Sequence, residues 1–148
     1  MKKHLLVIVA LLGALFLTSC GKATPAAKKI TNPKEAVTMK AMYVLGLPLS
    51  TVYVYEIINC ADREIAAFEG TVTIKHQSGL STSQKIFFEN IPAGKTRFCA
   101  EQEGDNGLSK TLYADTLDDI AKKLELDPEV TLFNDIDAKL KVTNAEFK

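Results

Sequence analysis

Tryptophan is absent from this chain of 148 residues, histidine occurs twice and cysteine three times. Without an indole, the commonest stacking platform for sugars is missing. One of the two histidines, His4, lies in the amino-terminal segment, which leaves His76, and a single imidazole does not build a His-rich zinc site. Neither charge sign dominates, since Lys plus Arg and Asp plus Glu each number 18. The clustered Lys and Arg that mark a nucleic-acid binder do not appear, so no nucleic-acid partner is expected. Apolar runs are scarce as well. After Leu5 to Leu17 no stretch is long enough to span a bilayer.

That first run is the most informative segment. Lys2 and Lys3 precede it, Thr18 and Ser19 follow it, and its 13 residues reach only about 20 Å against a hydrocarbon core of roughly 30 Å. A basic start, a short apolar stretch and small residues before a cut describe a secretory signal. Leu17-Thr18-Ser19-Cys20 resembles the lipobox of bacterial lipoproteins. The resemblance implies that residues 1–19 are removed and that Cys20 becomes the lipidated first mature residue. Each buried methylene then adds about 0.8 kcal/mol of membrane affinity, and two chains give stable anchoring. Gly21, where an Asp would retain the protein at the inner membrane, favours the outer membrane in a two-membrane bacterium.

Residues 20–35 contain Pro25 and Pro33 among small and polar residues and read as a flexible tether. Residues 36–148 suffice for one domain with its own core. Losing Lys2 and Lys3 leaves the mature chain two charges on the acidic side. Cys60 and Cys99 remain in an exported protein, so the simplest expectation is one disulfide closing a loop of about 40 residues, valued at roughly 4 kcal/mol in the chain-entropy model. The alternative is two separate buried thiols. Neither has a CxxC neighbour, which argues against thiol exchange.

From Glu35 onward the pattern has period two. Val37–Leu45 reads as a strand, and Thr51–Asn59 is apolar on both parities, as in a strand covered on both sides. Ala66, Phe68, Gly70, Val72 and Ile74 alternate with polar residues, the clearest strand signal in the chain. His76–Gly79 predicts a turn, Leu80–Glu89 a strand weighted by Ile86, Phe87 and Phe88, Ile91–Gly94 a turn, Lys95–Glu101 a strand and Gly104–Gly107 a hairpin tip. One helix is predicted over 116–126, capped by Thr116, with Leu117, Ile120, Ala121 and Leu124 on one stripe and Pro128 beyond its end. Strand character returns through Leu132, Leu140, Val142 and Phe147. Short strands at regular spacing predict a mainly β fold, an immunoglobulin-like antiparallel β-sandwich with one inserted short helix.

The strand ending at Asn59, Ile65-Ala66-Ala67-Phe68, Ser78-Gly79 and Ile91-Pro92-Ala93-Gly94-Lys95-Thr96 resemble the FxLYD type of exported bacterial sandwich. The resemblance implies architecture and carries no activity. Pro48 with Val52-Tyr53-Val54-Tyr55 resembles small type VI secretion lipoproteins, which are also tethered sandwiches.

Motifs of chemistry are sparse. Ala93-Gly94-Lys95-Thr96 ends like a phosphate-binding loop, but Glu89 stands where its first glycine belongs, so a hairpin turn is expected. His76 is expected as a solvated turn residue, since no GxSxG elbow surrounds any serine. Asp135 and Asp137 lack the glycine bend and closing glutamate of a calcium loop. Leu47, Pro48 and Leu49 form a partner-binding patch if exposed and a core plug if buried. The leading expectation is a non-catalytic, membrane-anchored envelope lipoprotein without cofactor or metal, held to the membrane by lipid on Cys20 and binding another envelope protein. The alternatives are a ligand carrier or inhibitor with a pocket beneath the helix, a secretion-system lipoprotein, and an unrecognised hydrolase.

Overall fold

Asn32-Pro33-Lys34-Glu35 carries a capping box with Pro at its first helical position. In the computed structural model, which describes residues 27, 29–46, 51–103, 109–126, 132–135 and 137–148, that signal closes a helical turn, α1 (Pro33–Ala36). The Asn32 side chain accepts from Lys34 N–H at 3.1 Å and donates to Glu35 at 3.0 Å. Ile30 packs against the core and Ala36 is fully buried. Within the span expected as tether, Ile30 and the α1 turn thus pack on the domain.

The chain then forms hairpins that alternate between two antiparallel sheets. β1 (Val37–Gly46) pairs with β2 (Thr51–Asn59), β3 (Ile65–Lys75) with β4 (Ser81–Ile91), and β5 (Thr96–Glu103) with β6 (Ser109–Ala114). The His76–Gly79 turn closes with His76 N–H on Leu80 O at 2.9 Å, and Gly79 has a φ of 83°, as expected of glycine there. After α2 (Leu117–Lys123), β7 (Leu132–Asp135) pairs with β1, and β8 (Ala138–Phe147) pairs with β3. The sheet orders are β6-β5-β2-β1-β7 and β4-β3-β8. Strands β1, β2 and β5 occupy the A-B-E positions of the immunoglobulin arrangement, and β4, β3 and β8 the C′-C-F positions. The mainly β sandwich with an inserted helix is thus the fold observed.

Alternation decides which faces meet. Tyr55 and Ile57 of β2, Phe68 and Val72 of β3, and Ile86 and Phe88 of β4 fill the space between the sheets. Phe88 lies 5.6 Å from Tyr55 and 6.2 Å from Tyr113, so aromatic rings join the two sheets. The other parity of the five-stranded sheet buries Leu45, Val52, Val54, Ala100, Leu112 and Ala114 beneath Ile120 and Leu124 of α2. The helix makes a third layer, which explains why β2 is apolar on both parities.

Thr116 accepts from Asp119 N–H at 3.2 Å and caps α2. Its carboxyl end closes earlier than the predicted position 126. Leu126 N–H reaches Ala121 O and Glu125 N–H reaches Lys122 O, a Schellman pair with Glu125 at a φ of 56°. A bulge between Met39 and Ala41 leaves Lys40 unopposed, and its ammonium meets Glu56 at 2.8 Å. Glu56 is only 5% exposed, and the Tyr43 hydroxyl donates to it at 3.1 Å.

One buried polar side chain ties the segments together. Asn59, at the end of β2, donates to Arg63 O at 2.8 Å and to Ile91 O at 3.0 Å, and accepts from Ala61 N–H at 3.0 Å. Asn59→Ala should destabilise the protein by about 3 kcal/mol in denaturant unfolding, since it strands buried backbone groups. Asn59→Asp should cost more, because a carboxylate offers acceptors where Arg63 O and Ile91 O need donors.

Candidate functional site

The outer face of the three-stranded sheet is built in transverse rows. Lys85, Thr71 and Lys141 form one, and Phe87, Glu69 and Asn144 the next. Between them the register of β8 slips, leaving Thr143 as an extra residue whose hydroxyl donates to Glu69 O at 3.2 Å. Bulges of this kind dent a sheet and re-aim side chains. The partner position on β3 is Gly70, where an added Cβ would stand 2.6 Å from Leu140 Cδ1 and 3.1 Å from Lys141 O. Its missing side chain lets β8 come close.

A concavity of about 590 Å3 results, lined by Glu69, Gly70, Thr71, Lys85, Ile86, Phe87, Glu101 and Thr143. Phe87 is 45% exposed beside it. Parity explains the exposure, because Ile86 and Phe88 point into the sandwich and Phe87 points out. Glu69, Thr71 and Lys85 make no side-chain hydrogen bond or ion pair with any residue among the described ones.

Glu101 enters from the other sheet. It shares the inter-sheet parity of Cys99 on β5 and accepts the backbone N–H of Phe87 on the open edge of β4. Two residues along that edge, Glu89 N–H donates to the Tyr113 hydroxyl at 2.9 Å. Side chains thus replace a neighbouring strand on β4. Burial raises the pKa of Glu101, and the Phe87 N–H pulls in the opposite direction. Burial also raises that of the Tyr113 hydroxyl.

Other expected sites fare differently. Cys20 and the Leu47, Pro48 and Leu49 patch lie outside the described residues. The Cys60–Cys99 disulfide does not form, because Cys99 is a free, fully buried thiol. The register is the reason: Cys99 sits opposite Tyr55, five residues from Cys60 along β2. That separation is roughly 16 Å, far beyond the ~7 Å limit between bridged α-carbons. Burial pushes the Cys99 thiol up to about 12, so it carries no reactive thiolate.

Ile120 and Leu124 of α2 pack on the second core, and the concavity described above lies chiefly on the three-stranded sheet. His76 is exposed, with Nε2 2.9 Å from the Thr82 hydroxyl. The Gly94–Thr96 segment closes a turn, with Gly94 N–H on Ala61 O and Lys95 N–H on Pro92 O. Asp137 spends its carbonyl on Lys75 N–H at 2.9 Å. Among the described residues no three His, Cys, Asp or Glu side chains gather as a metal site. No protein-family model, curated protein or solved structure matches this chain.

Two outcomes follow from these environments. Native protein held at pH 8 should leave Cys99 unmodified by iodoacetamide, and unfolding it in guanidinium should expose that thiol to alkylation, read by peptide mass. Glu101→Gln keeps an acceptor for Phe87 N–H but removes the titration. Because the folded pKa is raised above the ordinary 4.5, the stabilising contribution is complete below that value and is lost as pH rises through the folded value. Wild type should therefore gain stability relative to Glu101→Gln as the pH of the unfolding experiment falls from 7 towards 4.

Proposed function

We propose that this protein is a lipid-anchored bacterial envelope lipoprotein whose sandwich domain binds another envelope component and performs no catalysis. The observation that carries the reading is Leu17-Thr18-Ser19-Cys20 directly after the basic start and the apolar run. The fold supports it. Ala27 stands against Gly94, and Ile30 packs on the core, so the chain enters the sandwich at its Asn59–Gly94 end. An anchor at Cys20 then holds that end nearest the membrane, leaving the outer face of the three-stranded sheet open to the envelope. Gly21 favours the outer membrane where there are two.

Cells fed an alkyne analogue of palmitate test the anchor. The mature protein should begin at Cys20 and carry the label. Cys20→Ala should abolish labelling and leave residues 1–19 attached in the intact mass. An unlabelled protein that still lacks those residues would remove the proposal.

A further inference from the structure

We propose that the concavity around Phe87 is a saccharide-binding site. Three observations converge on that chemistry. Phe87 presents a half-exposed ring on a face otherwise made of polar side chains, one of only two large apolar residues so exposed among the described ones. Aromatic faces of this kind stack on the C–H face of a pyranose ring. The lining offers both acceptors and donors: the Glu69 and Glu101 carboxylates accept, the Lys85 ammonium and the Thr71 hydroxyl donate, and the Thr143 hydroxyl, whose proton is on Glu69 O, accepts. Vicinal sugar hydroxyls, which donate and accept at once, match such a set.

Charge selects against other occupants. Two carboxylates repel an anionic polymer, and Lys85 stands against a polycation. A lining of mixed sign suits an uncharged polyol. At about 590 Å3 the hollow also lies in the range of small-molecule sites. It is a built feature of the fold, created by the Thr143 bulge, by Gly70, and by Glu101 reaching across from β5. Phenylalanine takes the stacking role here in a chain with no tryptophan.

The inference stands on this geometry and not on the lipid anchor, so its test needs no membrane. Full-length protein in a zwitterionic, sugar-free detergent is titrated with tetra-N-acetylchitotetraose and separately with maltotriose, followed by NMR. Saturable shifts for at least one of them should centre on Thr71, Lys85, Phe87 and Thr143. Phe87→Ala should weaken binding about tenfold or more while leaving the thermal midpoint unchanged, since the ring is half exposed. Thr71→Val, which keeps shape and removes the hydroxyl, should weaken it less. No saturable shift with either sugar, shifts elsewhere, or equal affinity after Phe87→Ala would each overturn the proposal. Tighter binding at these residues by a lysine-rich peptide would overturn it as well.

Discussion

The carboxamide of Asn59 is the point where the two sheets become one domain. It lies fully buried at the end of β2, and its donors and acceptor are spent on the backbones of the following turn and of the end of β4. Around it, Asn59 N–H reaches Lys95 O, Cys60 N–H reaches Ala36 O, and Gly94 N–H reaches Ala61 O. Five segments therefore meet at one end of the sandwich. Buried polar networks specify geometry only when every member is satisfied, and no buried side-chain nitrogen or oxygen among the described residues lacks a partner. Apolar contacts between the sheets supply adhesion without direction. The Asn59 knot supplies the direction.

Open edges are the other constraint on a sandwich. An uncapped strand invites another chain, and this protein manages its three-stranded sheet in two ways. β4 is capped from the opposite sheet by Glu101 and the Tyr113 hydroxyl. β8 carries exposed Lys139 and Lys141, whose charge discourages edge-to-edge pairing. The same devices shape the concavity. Glu101 caps an edge and lines a hollow, and the β8 bulge that interrupts pairing also dents the surface. Edge protection and ligand chemistry are thus drawn from one set of side chains.

Much of the fold was legible in residue order. Period-two alternation in Ala66–Ile74, the double-sided apolar content of Thr51–Asn59, the Gly79 turn and the Thr116 cap each act within a few residues, and each is observed where expected. The turn at Asn32–Ala36 was not expected, because small and polar composition reads that stretch as tether. Phe87 illustrates a subtler signal. A run of Ile86, Phe87 and Phe88 looks uniformly apolar, yet strand parity must turn the middle ring outwards.

What the sequence by itself determined is the alternation of strands, the turns and the helix, because those follow from interactions between near neighbours. Pairing across the sheets was decided only by the tertiary structure. Cysteine counting suggested a bridge between Cys60 and Cys99, but the β2–β5 register sets Cys99 opposite Tyr55 and carries the two sulfurs apart. Glu101 and Phe87, fourteen positions apart on strands of different sheets, become neighbours for the same reason. Register is a long-range property, settled when whole faces find their apolar complements, and no local pattern encodes which side chains it brings together.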